Sequence, residues 1–267
     1  MLTRPEVEAA AQALHEAERS RTQIRPLSFL HPQMDLEDAY AIQDAWVALK
    51  LGEGCRVRGR KIGLTSRPMQ RAMRIDEPDF GTLLDDMFFA SGEPIEAAQF
   101  TDPQLEAELA FVLRDRLAGA EVTLTDVLNA TEHVIPAVEI IAARSQRVDA
   151  ETGQPRTVCD TIADNAANAG LVLGGRPVRP MEVDLRWVSA LLFRNGVIEE
   201  SGVAAAVLNH PANGLVWLAR RLAAHGIALE PGDVVLSGSF TRPVPISAGD
   251  VFHADYGTLG SFAISFS

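Results

Sequence analysis

The chain has 267 residues, 47% hydrophobic and 22% charged, with three Trp and eleven Phe, which is the composition of a globular protein with an ample core. A net charge of −12 argues against nucleic acid and anionic membrane surfaces as partners, and no apolar run is long enough to span a bilayer. Cys55 and Cys159 lie far apart without metal-type spacing and read as free thiols; with a charged N-terminus lacking a secretory apolar stretch, the expectation is a cytoplasmic protein.

Taken in chain order, Thr3 as N-cap with Pro5 and Glu6 in the first turn predicts a helix to about Arg21. A second helix starts near Asp35, where Ala39, Ile42, Trp46 and Leu49 recur at helical spacing. The two read as an N-terminal arm on a β-rich body. Between residues 56 and 74 stand seven cations, Arg56, Arg58, Arg60, Lys61, Arg67, Arg71 and Arg74, with no acid among them. This stretch is either a solvated or subunit-facing surface or the place where an anionic small molecule docks. Within it, RGRKIGL reads as a strand ending near Gly63. Residues 105 to 113 alternate, and VIPAVEII (134–141) is an apolar run broken by one acid. Asn195-Gly196 predicts a hairpin between SALLFR and VIEES. Pro211 opens a helix closed by Gly226, and VVLSGSF, VFHADYG and FAISF read as strands. Strands do not alternate regularly with long helices, so a mixed α+β fold around a bent sheet is expected instead of a doubly wound parallel one.

Glu106 and Glu108 are two apart on a strand, so their carboxylates share one face about 7 Å apart. Burying two like charges together is costly unless a cation lies between them. Glu139, the single acid of VIPAVEII, has the same character. Three carboxylates without a His or Cys cluster favour a hard ion, Mg²⁺ or Mn²⁺; the competing reading is that these strands are half exposed and the acids face water. Lys61 reads either as a surface lysine or as a partner for a substrate carboxylate or a transferred proton. Asp79, in EPDFG, is an acid–base candidate or a plain turn aspartate. Ser239 and Thr241, placed on one strand face, offer two hydroxyl donors. There is no G-x-S-x-G elbow, P-loop, Rossmann fingerprint or H-E-x-x-H, and the six histidines are scattered.

The segments GRKIGLTS (59–66), EPDFGTLLDDMFF (77–89), LEAELAFVL (105–113), IPAVEI (135–140), DNAANAG (164–170), FRNGVIEESGVAA (193–205), LNHPANGLVWLA (208–219) and GSFTRPVP (238–245) occur in this order. Together they resemble the 2-oxo-hept-4-ene-1,7-dioate hydratase family of homoprotocatechuate degradation, within the wider hydratase/decarboxylase group of fumarylacetoacetate-hydrolase-like fold. The resemblance covers nearly the whole chain. It implies an N-terminal helical region over residues 1–55 and a mixed β-roll catalytic domain over 56–267.

The resemblance also implies a metal-dependent hydratase that adds water to a 2-oxo-enoic acid or diacid, acting as a homo-oligomer on a small anionic substrate. A 4-oxalocrotonate-type decarboxylase on the same fold is the alternative. Carried over by position, the metal carboxylates are Glu106, Glu108 and Glu139, holding Mg²⁺ with Mn²⁺ as second choice. Lys61 and Asp79 become the acid–base candidates, and Ser239 and Thr241 line the 2-oxo-carboxylate end of the substrate. Gly63 and Gly81 are the expected hinges of a flap carrying the basic stretch. One departure is Ala142, where relatives often carry an aspartate placed to orient Arg144 or a neighbour. Arg25, Arg67 and Arg144 are the candidates for a second substrate carboxylate.

Overall fold

The computed structural model describes residues 1–267. Three helices come first: α1 (Arg4–Ser20), the short α2 (Leu27–Leu30) and α3 (Leu36–Gly52). Thr3 and Glu6 close a capping box at the start of α1, with the Thr3 amide donating to Glu6 Oε2 at 2.7 Å, and Asp35 accepts from the Asp38 amide at 2.9 Å to start α3. Then follow β1 (Val57–Gly63), α4 (Arg67–Met73), β2 (Asp79–Leu84), β3 (Phe88–Phe89), β4 (Gln104–Leu113), α5 (Leu124–Ala130) and β5 (Thr131–Ile141). Next come α6 (Val158–Ala163), β6 (Asn168–Leu173), β7 (Ser189–Arg194), β8 (Val197–Val203) and α7 (Ala212–Ala223). The chain ends with β9 (Val234–Leu236), β10 (Val244–Pro245), β11 (Val251–Asp255) and β12 (Ser261–Ser265). No helix is long and apolar enough to cross a membrane.

The strands form two sheets. The larger runs β2-β1-β9-β4-β5-β6-β3, with β10 also on β4; the smaller runs β12-β11-β7-β8. All pairings are antiparallel except β1 with β9 and β3 with β6. Asn195 and Gly196 carry positive φ at the β7–β8 turn, the hairpin that their sequence predicts.

The alternation of β4 decides what lies on each face of the large sheet. Leu105, Ala107, Leu109 and Phe111 enter a core shared with the small sheet and with Leu215, Leu218 and Leu222 of α7. The opposite parity brings Ala110 of β4, Ala137 of β5, Leu171 of β6 and Leu236 of β9 into a second core. That core is completed by Leu14 of α1 and by Ile42 and Trp46 of α3. The N-terminal helices thus cover the face toward which Glu106, Glu108 and Glu139 project, and they share its core.

Two local expectations are corrected. Of VVLSGSF, only Val234–Leu236 is strand. Gly238, at φ 110°, turns the chain out of regular geometry, and the loop beyond it is tied to β4 by side chains. Gly63 and Gly81 do not form a pair of flap hinges either: Gly81 lies inside β2 opposite Lys61, and Gly63, the last residue of β1, is paired with Asp79. The segment between the strands contains α4.

Ile42 has no solvent exposure and sits where the helices meet the sheet. Ile42→Ala should therefore cost about 2–5 kcal/mol, read as a lower urea midpoint at unchanged slope. A loss below about 1 kcal/mol would mean that the helical layer is only loosely attached.

Candidate metal centre and active site

The register of β4 on β5 creates the site. Glu106 is paired directly across from Glu139, and Glu108 across from Ala137. One carboxylate oxygen from each of Glu106, Glu108 and Glu139 lies within 4.8 Å of the others. Glu139 and Glu108 are buried at 0% and 1% exposure, and Glu106 is partly buried, so the reading in which these acids simply face water is excluded. Glu108 Oε2 accepts the Gly238 amide at 2.9 Å. A side chain at Gly238 would strike Thr65, 2.4 Å from its Oγ1, so the close passage of this loop requires glycine. The Tyr256 hydroxyl accepts the Glu108 amide and donates to the Ala137 carbonyl, locking the backbone of both strands at the site.

Lys61, on β1, is the one fully buried cation of the basic stretch. Its Nζ donates to the Ala166 carbonyl at 2.9 Å and lies 3.3 Å from Glu139 Oε1. Burial opposes its charge, but Glu139, Asp79, Glu108 and Glu106 together raise its pKa above the ordinary lysine value. Asp79 is 2% exposed on β2, opposite Gly63. A Cβ on Gly63 would fall 2.2 Å from Asp79 Oδ1 and 3.2 Å from Lys61 Nζ, so glycine there lets the two functional groups converge. Burial pushes the Asp79 carboxyl up to about 6, with Lys61 pulling the other way.

The remaining candidates divide. Ser239 and Thr241 lie in a loop, not on a strand face, and bracket the Ala107 backbone between the two glutamates. Thr241 Oγ1 accepts the Ala107 amide at 3.0 Å, and Ser239 Oγ donates to the Ala107 carbonyl at 3.2 Å. Arg25 is held by Asp149 and Glu151, and Arg144 by Glu18 and Asp164, so both are committed within the protein. Arg67 is exposed and makes no ion pair. Ala142 is buried, and the carboxylates that orient Arg144 come from Glu18 and Asp164.

Asn168 and the turn before it, part of the segment DNAANAG, were given no role by sequence. Asn168 Nδ2 donates to Glu139 Oε1 at 2.8 Å, and Asn165 binds both the amide and the carbonyl of Thr82 on β2. Asn165, Ala166 and Ala167 are consecutive residues with positive φ. Asparagine tolerates this conformation, which was the available signal, but successive alanines there carry none and each costs about 1–2 kcal/mol.

Electrostatics test whether a cation fits. Burial and the Glu139 charge push Glu106 up to about 8, and burial with the same neighbour raises Glu108 well above the usual carboxylate range. Glu139 Oε2 is buried with no hydrogen-bond partner. Crowded carboxylates that resist ionisation, together with an orphaned oxygen, are what a missing positive charge would resolve, and an all-oxygen donor set suits a hard divalent ion.

Residues 51–266 match the family model "Fumarylacetoacetate (FAA) hydrolase C-terminal". The chain belongs to the fumarylacetoacetate hydrolase family. It is 58% identical to the 2-oxo-hept-4-ene-1,7-dioate hydratase of Escherichia coli, over 96% of each chain. It is 39% identical to the 2-keto-4-pentenoate hydratase of Paraburkholderia xenovorans, over 99% of this chain and 96% of that one. Among solved structures, the 4-oxalocrotonate decarboxylase of Pseudomonas putida G7, complexed with magnesium and adipate, matches with a TM-score of 0.95. That match is at 32% identity and covers 100% of this chain and 99% of the other.

The raised carboxyls have a measurable consequence. Without metal, the folded state retains protons that the unfolded chain releases above the ordinary value of 4.5, so stability falls as pH rises from there toward about 8. Glu106→Gln should raise the metal-free Tm at pH 8, by about 2–4 °C for each kcal/mol relieved, and remove the further rise that Mg²⁺ gives the wild type. A variant that still gains stability from Mg²⁺ would remove Glu106 from the ligand set.

Proposed function

We propose that this protein is a divalent-metal-dependent hydratase that adds water to a 2-oxo-enoic acid, with 2-oxo-hept-4-ene-1,7-dioate as substrate. The observation that carries the reaction type is the 58% identity, end to end, with a hydratase of that substrate. The metal chemistry is supported by the carboxylate cluster and its orphaned oxygen. Glu106, Glu108 and Glu139 hold the ion. Mg²⁺ is the preferred choice and Mn²⁺ a substitute, a reading supported by the magnesium in the decarboxylase complex.

The chemistry accounts for the residues. In the enol of this substrate, a 2-hydroxy-2,4-dienoate, the hydroxyl proton is lost and C5 gains one, leaving a C3–C4 alkene conjugated to the C2 carbonyl. Water then forms a bond to C4 while C3 is protonated, giving a 4-hydroxy-2-oxo acid. When bound, the divalent ion supplies positive charge beside the C2 oxygen, where enolate charge develops. Lys61, kept charged by its carboxylate neighbours, adds a fixed ammonium to that region. Asp79, with its carboxyl pushed up to about 6, exchanges a proton readily near neutral pH. Ser239 and Thr241 line the 2-oxo-carboxylate end through the loop that they tie to Ala107. Exposed Trp187, Val197, Ile198 and Val251 support self-association into a homo-oligomer.

Decarboxylation of a 2-oxo-dioate is the second reading, favoured by the near-complete structural match to 4-oxalocrotonate decarboxylase. The two are separated by following the ultraviolet chromophore of 2-hydroxy-hepta-2,4-diene-1,7-dioate with Mg²⁺ and then with EDTA, and weighing the product. Metal-dependent bleaching with gain of one water is expected. Inertness toward this compound, with CO₂ release from an oxalocrotonate-type dioate, would replace hydratase by decarboxylase. Lys61→Met should lower kcat by about 10²–10⁴-fold; near-normal turnover would take Lys61 out of the chemistry.

A further inference from the structure

Glu139 is gripped through one oxygen only. Its Oε1 takes Asn168 Nδ2 at 2.8 Å and faces Lys61 Nζ at 3.3 Å, while Oε2 is left without a partner. Asn168 is held in turn: its carbonyl accepts Arg144 Nη2 at 3.0 Å. The other edges of that guanidinium are also assigned. Nη1 donates to Asp164 Oδ1 at 2.9 Å and Nε to Glu18 Oε2 at 2.8 Å, and the Trp46 ring lies 4.7 Å from the guanidinium carbon. Glu18 belongs to α1 and Trp46 to α3, so the fork that fixes Asn168 is itself fixed by the N-terminal helices. Lys50 of α3 pairs with Glu18 at 3.0 Å, and together Arg144 and Lys50 outweigh burial to hold the Glu18 carboxyl down at about 2.

We propose that Arg144 and Asn168 are positioning residues for the metal ligand Glu139, and that Glu18 and Trp46 make the N-terminal helices part of this device. Here the planar fork spends its third edge on the residue whose side chain sets which Glu139 oxygen remains free. The left-handed run Asn165–Ala167 lies between Asp164 and Asn168, the two residues that Arg144 clamps, so strained backbone is pinned at both ends. Lysine in place of Arg144 keeps the charge but cannot reach Glu18, Asp164 and the Asn168 carbonyl in one plane.

The inference rests on Glu139 being a metal ligand, and the test separates the two. Mn²⁺ binding is measured by electron paramagnetic resonance of the free ion for wild type, Asn168→Ala, Arg144→Lys, Glu18→Gln and the control Leu14→Ala. Leu14 is a core residue of α1 that shares the apolar cluster of Trp46 but makes no polar contact with Arg144. Asn168→Ala and Arg144→Lys should weaken Mn²⁺ binding about 10–100-fold and Glu18→Gln by less, whereas Leu14→Ala lowers Tm with affinity unchanged. Combining Arg144→Lys with Asn168→Ala should add little, because both act through one ligand. Failure of the wild type to bind Mn²⁺ overturns the metal reading and this one with it. Wild-type binding retained to within about twofold by folded Asn168→Ala and Arg144→Lys overturns the positioning role alone. Should Arg144→Lys not fold, Asn168→Ala decides.

Discussion

Mutual repulsion among carboxylates that the fold gives no way to separate governs the centre of this protein. Glu106 and Glu139 are locked opposite each other by strand pairing, and Glu108 is fixed by the pleat and by the Gly238 amide. Lys61 offsets part of this charge, but one ammonium against Glu106, Glu108, Glu139 and Asp79 leaves a deficit that low-dielectric surroundings enlarge. The backbone ladder that imposes the crowding is the same ladder that holds both cores together. Relaxing the site would break the sheet.

This constraint explains the shell around the acids. Buried polar groups are costly unless they are satisfied, and nearly every contact near the cluster satisfies one. Tyr256 spans the two strands, Asn165 caps the free edge of β2, and Ser239 and Thr241 add side-chain bonds to the Ala107 backbone where the loop after β9 leaves strand geometry. Among the buried oxygens left unpartnered are Glu139 Oε2, Asp79 Oδ1 and Asn168 Oδ1, all on residues of the cluster or in contact with it.

Much of this was legible from local patterns. Two glutamates two residues apart, and one acid in an apolar run, are short-range signals that survive without knowledge of the fold, as are the caps of α1 and α3. The likeness of several ordered segments to a known family supplied what periodicity could not, including the meaning of Lys61. What stayed hidden was non-local. That Glu106 faces Glu139 depends on a strand register across a long connection. The link from Glu18 through Arg144 to Asn168 joins parts of the chain far apart in sequence. VVLSGSF was read as one strand, and only the positive φ of Gly238 shows why the strand stops at Leu236.

The pairing of β4 with β5 also limits how such a protein can change over generations. Adding or deleting one residue inside either strand would rotate its acids into the packed layer around Phe111 and Leu109 and bring apolar side chains to the carboxylate face. Length can drift in turns outside the paired segments, such as residues 118–121 between β4 and α5 or Asn195–Gly196 in the other sheet. Lineages descended from this sequence should therefore differ in the spacing between Glu108 and Glu139, while the interval from Glu106 to Glu108 stays as invariant as the pleat itself.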